Sequence, residues 1–252
     1  MKFFRYPFYI FWRVWFLAWL LLTMIPIFPV LIVVTSSEKL YPVFFKIARA
    51  WAKTLIFVMG FKVILEENQV LTKEKSFMFC PNHTSMIDVM VMLSITKNPF
   101  VFVGKKELTK IPIFGFFYKR TCIIVDRSNS KSRLAVFDEA RRRMSDGLDI
   151  CIFPEGLVPA DESVVLSEFK NGAFRLAIEH QIPIVPITMY DCKKRFSYTF
   201  FSGKPGKLRV KIHHFIKTEG LTLENNNSLK KQTFDTIYNE LISDLKNQQL
   251  NT

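Results

Sequence analysis

His83 is one of four histidines in the 252 residues, and it stands five positions ahead of Asp88 in the stretch PNHTSMID, residues 81–88. A neutral imidazole takes a proton from a hydroxyl near pH 7, and a carboxylate on its other ring nitrogen fixes the tautomer and stabilises the imidazolium. Such a pair suits general-base chemistry in which an alcohol attacks an acyl thioester. The chain has no G-x-S-x-G elbow, so direct attack by the acceptor is favoured over a serine acyl-enzyme.

The spacing constrains the elements that hold the pair. Residues five apart in one straight helix point about 140° away from each other, so both cannot sit in the same helix and meet. They can meet if His83 ends a loop and a helix begins just after it. Pro81 favours an extended Cys80, while Asn82, Thr84 and Ser85 are good N-caps. Asp88 then falls in the first helical turn. The same residues also allow a plainer reading: Ser85-x-x-Asp88 approximates a capping box, in which Asp88 satisfies backbone donors.

Around this stretch, short apolar runs alternate with helical patterns. FKVIL (61–65), SFMFC (76–80), FVFVG (100–104), TCIIVDR (121–127), DICIFPEG (149–156) and IPIVPITMY (182–190) read as strands. MIDVMVMLSI (86–95), LAVFDEARRRMSDG (134–147), GAFRLAIEH (172–180) and residues 228–249 read as helices, and KLRVKI (207–212) as a half-exposed edge strand. This is an α/β pattern: a mainly parallel sheet flanked by helices. In such sheets the working groups gather at the carboxyl ends of strands. That singles out Pro81–Asp88, Asp126–Arg127 and Phe153–Gly156. For Arg127 a surface ion pair, and for Glu155 a turn cap, are the plain alternatives.

The first 60 residues differ in kind. Val14 to Val34 is 21 residues without a charge, about 31 Å as a helix and enough to cross a bilayer core, although Pro26 and Pro29 tend to kink or end helices. Residues 37–60 follow as a basic, tryptophan-bearing amphipathic helix. Leu40, Val43, Phe44, Ile47, Trp51, Leu55 and Val58 form its apolar stripe, the type that lies in a headgroup layer. The chain thus divides into a membrane-binding helical segment, 1–60, and an α/β domain, 61–252. A net charge of +13 fits an anionic membrane or substrate. No zinc spacing, helix-turn-helix or basic zipper cue supports nucleic acid. The four cysteines form no C-x-x-C and suit a reduced, cytosol-facing body. His180, His213 and His214 lie in no metal-ligand spacing, so no metal is expected.

At this point an ordered set of blocks resembles a family. NHTSMID resembles the N-H-x-x-x-x-D block of the glycerolipid acyltransferases, the 1-acylglycerol-3-phosphate acyltransferase group. VGKKEL with IPIFG (103–115), CIIVDR (122–127), FPEG (153–156), FKNGA (169–173) and IVPI (184–187) are similar to its later blocks, in order. The resemblance implies His83 as general base and Asp88 as its orienting partner. It also implies Arg127, Glu155, Gly156 and Lys105 as binders of a phosphate-bearing lysolipid acceptor. The co-substrate would be an acyl-carrier-protein or coenzyme A thioester, with no bound cofactor, and the N-terminal helices would hold the enzyme at the cytosolic face of a membrane. Two departures stand out. Thr-Arg usually follows Glu-Gly, but Leu157-Val158 stand here, and Thr121 replaces a usual glycine. The missing arginine leaves open a lyso-aminolipid acceptor; Lys170 and Arg175 are the candidates to replace the lost charge for a phosphate-bearing one. A non-catalytic membrane scaffold of the same fold is the remaining alternative.

Overall fold

The computed structural model describes residues 5–72, 75–126 and 129–250, without the side chains of Arg5, Ser130, Lys131 and Arg133. In chain order it contains α1 (Arg5–Val34), α2 (Tyr41–Val58), β1 (Phe61–Glu67), β2 (Met78–Pro81), α3 (Asp88–Ile95), β3 (Phe100–Lys105), α4 (Phe114–Thr121), β4 (Ile123–Val125), α5 (Ser130–Ser145), β5 (Asp149–Cys151), α6 (Gly172–Glu179), β6 (Ile184–Met189), α7 (Cys192–Phe196), β7 (Gly206–Ile212) and α8 (Asn226–Leu250). The strands form one seven-stranded sheet in the order β1-β7-β6-β2-β5-β3-β4. The pairs β2–β6, β2–β5, β5–β3 and β3–β4 are all parallel, as the alternating pattern requires. KLRVKI is not at an edge. β7 alternates buried and half-exposed residues as expected, but the edge beside it is β1.

The chain forms two compact units. One is Met1–Leu65, Thr84–Lys97 and Met189–Val210; the other is Glu66–His83, Asn98–Thr188 and Lys211–Thr252. The N-terminal helices therefore share their unit with α3 and with the segment around α7, stretches expected to belong to the α/β body.

In the first unit α1 runs uninterrupted through Pro26 and Pro29 for 30 residues, about 45 Å. Each proline removes one backbone donor, so the Leu22 and Ile25 carbonyls lose their intrahelical partners. The prolines do not end the helix. It is long and apolar enough to cross a membrane, and only 11% of its most apolar window is buried. Trp12, Phe16, Leu31 and Val34 turn inward, whereas Phe11, Leu17, Leu21, Leu22, Ile25 and Val33 stand exposed. The Trp15 indole donates to the Val58 carbonyl (3.0 Å) and that of Trp51 to the Thr23 hydroxyl (2.9 Å), so α2 runs back along α1. The buried stripe of α2 is Tyr41, Phe45, Ala52, Leu55 and Ile56. It shares only Leu55 with the expected stripe, because the helix is apolar on two faces.

In the second unit α8 buries Leu229, Thr233, Ile237 and Leu241, and Gly147, with φ +76°, closes α5. All four cysteines are free, and three are buried. Asp149 begins β5 at 2% exposure and accepts the Phe77 N–H at 2.9 Å. Burial pushes its carboxyl up to about 7, against opposing hydrogen bonds from Phe77 and Asn98. The folded chain therefore holds a proton here that the unfolded chain releases near pH 4. The resulting stability is complete below that point and is lost as pH rises through about 7. The melting temperature is expected to fall between pH 4 and 8. In Asp149→Asn, which mimics the protonated form, that fall should shrink by the equivalent of a few kcal/mol. Thermal melts of both proteins across this range check it.

Candidate active site

Four adjacent parallel strands place the sequence motifs. The registers pair Phe79 with Cys151, Cys151 with Phe102, and Lys105 with Val125. Parallel strands end on the same side of a sheet, where α/β proteins build their sites. His83 follows β2 by two residues, and Lys105 is the last residue of β3. Asp126 follows β4, and Glu155 and Gly156 follow β5. Arg127 lies outside the described residues. Its neighbour Asp126 pairs with Lys106 at 3.1 Å, and since the lysine is exposed the pair contributes little to stability. Lys105 is half-buried at the strand end beside Val125.

The His83 ring lies on the Phe153 ring, with centroids 4.2 Å apart and planes inclined by 24°; Phe153 in turn stacks on Phe102 at 6.0 Å. The His83 N–H donates to Glu155 Oε1 at 2.6 Å, and the Ser167 N–H donates to Glu155 Oε2 at 2.8 Å. Glu155 is 2% exposed. The resemblance places this side chain against the acceptor. In the structure its buried carboxylate ties the His83 peptide to the turn after β5 and to residue 167. In that turn the Gly156 N–H donates to the Phe153 carbonyl at 3.0 Å, and Gly156 has φ +77°, a conformation that favours glycine.

Asp88, fully buried, is the first residue of α3. Its Oδ2 accepts the N–H groups of Thr84 (2.7 Å) and Ser85 (2.8 Å). One carboxylate oxygen therefore does the capping that Ser85-x-x-Asp88 suggested, at a helix N-terminus that favours negative charge. The Ser85 hydroxyl donates to the Phe196 carbonyl, a short bond between buried groups. The Cys192 thiol lies against Asp88; its pKa is driven well up by burial first and then by the charge and hydrogen bond of Asp88. Among the described residues, no group of three or more His, Cys, Asp or Glu is placed to hold a metal ion.

The profile of the Acyltransferase family matches residues 62–190, half of the chain and the whole strand-end arrangement from β2 to β6. The chain belongs to the acyltransferase family. An acyltransferase of Schizosaccharomyces pombe is 29% identical over 206 residues, covering 80% of this chain and 74% of that one. The human 1-acyl-sn-glycerol-3-phosphate acyltransferase alpha is 26% identical over 209 residues, covering 79% and 71%. Among solved structures, the 1-acyl-sn-glycerophosphate acyltransferase PlsC of Thermotoga maritima superposes with a TM-score of 0.75 over 96% of this chain and 98% of that one. At 19% identity this likeness speaks for the fold.

Within this acyltransferase, four residues at the motifs carry contacts that the sequence does not announce. Phe153 was visible in FPEG, but nothing in its spacing indicates that it backs the imidazole. Ser85 reads in the sequence only as a cap. Phe196 and Cys192 come to the Asp88 turn from more than a hundred residues away, and only the tertiary fold reveals them. Lys170 is exposed, and its N–H donates to the Pro154 carbonyl at 2.8 Å, directly beside the Glu155 turn. Arg175, the other candidate charge, is bonded to Glu179 at 2.8 Å along α6.

Proposed function

We propose that this acyltransferase transfers a fatty acyl group from a thioester of coenzyme A or acyl carrier protein to the free hydroxyl of a lysolipid. The acceptor is 1-acylglycerol-3-phosphate and the product phosphatidic acid. His83 takes the hydroxyl proton as the oxygen attacks the thioester carbon. The tetrahedral intermediate then collapses, the carbon–sulfur bond breaks, and the imidazolium returns its proton to the leaving thiolate. Asp88, the acid of the same motif, is assigned as the orienting partner of the imidazole. The carrying observation is the fixed His83: peptide pinned by Glu155, ring backed by Phe153, at the carboxyl end of β2. Lys105, from the end of β3, and Arg127 of the CIIVDR block supply positive charge for the acceptor. The apolar α1 keeps the enzyme on the cytosolic face of the membrane that holds acceptor and product.

Lys170 is the replacement for the arginine missing after Gly156, because it is exposed beside the same turn. Lys170→Ala is expected to raise KM for 1-acylglycerol-3-phosphate about tenfold with little change in kcat, the loss of one charge-assisted phosphate contact. Steady-state kinetics over a range of acceptor concentrations measure this. A second reading, a lyso-aminolipid acceptor, draws on Leu157, which stands 48% exposed where the family has a polar residue. Purified enzyme supplied with a labelled acyl thioester and either acceptor distinguishes the two. Faster acylation of the phosphate-bearing lysolipid supports the first reading, and faster acylation of the aminolipid replaces it.

A further inference from the structure

We infer that the loop of residues 193–207 is a second lipid contact, one that binds the anionic headgroup layer where α1 leaves the bilayer. This rests on the membrane reading of α1 above.

From Cys192 to Val210 the chain carries six lysines and arginines and no acidic residue. Arg195 and Arg209 are used internally. Arg195 donates to the Lys207 and Pro205 carbonyls at 3.1 and 3.2 Å, and Arg209 pairs with Asp191 at 2.8 Å. Lys194, Lys204 and Lys207 project from the exposed surface. Between them, Phe200 and Phe201 are about half exposed with their rings 5.0 Å apart. Exposed adjacent phenylalanines ringed by lysines match the composition of an anionic membrane interface.

The exposure is built in. Arg13 of α1 reaches into the loop and donates to the carbonyls of Ser197 (2.7 Å), Thr199 (2.6 Å) and Phe200 (3.2 Å), while its guanidinium lies 4.2 Å from the Phe196 ring centre. Ser197 and Ser202 share a 2.7 Å hydroxyl bond across the loop. At Gly203, with φ +103°, a side chain would meet the Arg195 carbonyl oxygen at 2.4 Å. The loop is thus held with its two phenylalanines outward, and the Tyr6 ring meets Phe201 edge-on at 5.1 Å. The anchors, Tyr6 and Arg13, lie in the first third of α1, the end at which α2 returns through the Trp15–Val58 bond. The later two thirds of the apolar helix extend beyond the loop. Aromatic residues collect at that level in membrane proteins, and lysines there meet phosphate.

Co-sedimentation of the full chain with phosphatidylcholine vesicles and with mixed phosphatidylcholine–phosphatidylglycerol vesicles tests this. Wild type is expected to prefer the mixed vesicles, with binding weakened by salt. The variant Lys194→Glu/Lys204→Glu/Lys207→Glu should lose at least about fivefold per lysine on mixed vesicles and little on neutral ones. Phe200→Ser/Phe201→Ser should lose about tenfold on both. Far-ultraviolet circular dichroism verifies that each variant folds. Wild-type binding matched by both variants overturns the loop assignment and leaves α1 as the anchor. Absence of wild-type binding to either vesicle overturns the membrane reading and the loop with it. Variants that bind vesicles normally but lose turnover only with acyl-carrier-protein thioester assign the loop to an acidic protein instead.

Discussion

His83→Ala is expected to retain less than about a hundredth, and as little as a ten-thousandth, of wild-type kcat for acyl transfer, the range that removal of a positioned general base produces. KM for the lysolipid should change little, because the imidazole acts on the proton leaving in the transition state and not on the bound headgroup. The variant should remain folded. His83 is half-buried, and its ring contact with Phe153 is of a type contributing about 0.5–1.5 kcal/mol, so the melting temperature should drop by a few degrees at most. A folded His83→Ala enzyme that transfers acyl groups at the wild-type rate from the same thioester would remove His83 from the chemistry. With it would go the main reason for reading NHTSMID as an active site. Asp88→Asn separates less cleanly, since Oδ2 also accepts the Thr84 and Ser85 amides and its loss loosens the start of α3.

The strands that carry the motifs were legible in the sequence because a parallel sheet covered on both faces needs nearly continuous apolar runs, and SFMFC, FVFVG and IPIVPITMY are such runs. The start of α3 was legible for a local reason: Asp88 caps backbone groups only three and four residues away. What the sequence hid is non-local. The edge position goes to β1 and not β7, because strand order is a property of the whole sheet, and KLRVKI alternates apolar and basic residues without being an edge. In α2 the periodicity contains two apolar stripes, and nothing in residues 37–60 says which one turns to the core. IPIFGFF has an apolar run like a strand, yet Phe114–Thr121 is helical, and Ile113 before it is held at φ +65°, a conformation a β-branched residue rarely takes. The motif residues themselves were found by their order along the chain. Their division of labour was not, since Glu155 reads identically in the sequence whether it faces a ligand or two backbone amides.

That division gives the second large effect. Glu155→Gln is expected to lower kcat by one to two orders of magnitude and to destabilise the fold by about 2–3 kcal/mol, with KM for the acceptor nearly unchanged. The carboxylate presents two acceptor oxygens to two N–H groups, those of His83 and Ser167. A glutamine keeps one acceptor and turns an NH2 toward the other amide, so a buried donor faces a donor. If the Ser167 side is lost, residue 167 loosens from the turn after β5. If the His83 side is lost, the peptide carrying the imidazole is freed, and a displacement of about an ångström is enough to cost a hundredfold in rate. A residue that gripped the acceptor directly would behave in the opposite way: Glu155→Gln would raise KM with kcat and melting temperature largely preserved. Kinetics and thermal melts on the same preparation therefore decide between the two roles. Glu155→Asp sharpens the test, because it keeps both oxygens but shortens the reach by one methylene. It should still accept the Ser167 or the His83 amide, but not both, and so fall between wild type and Glu155→Gln in melting temperature as well as in kcat.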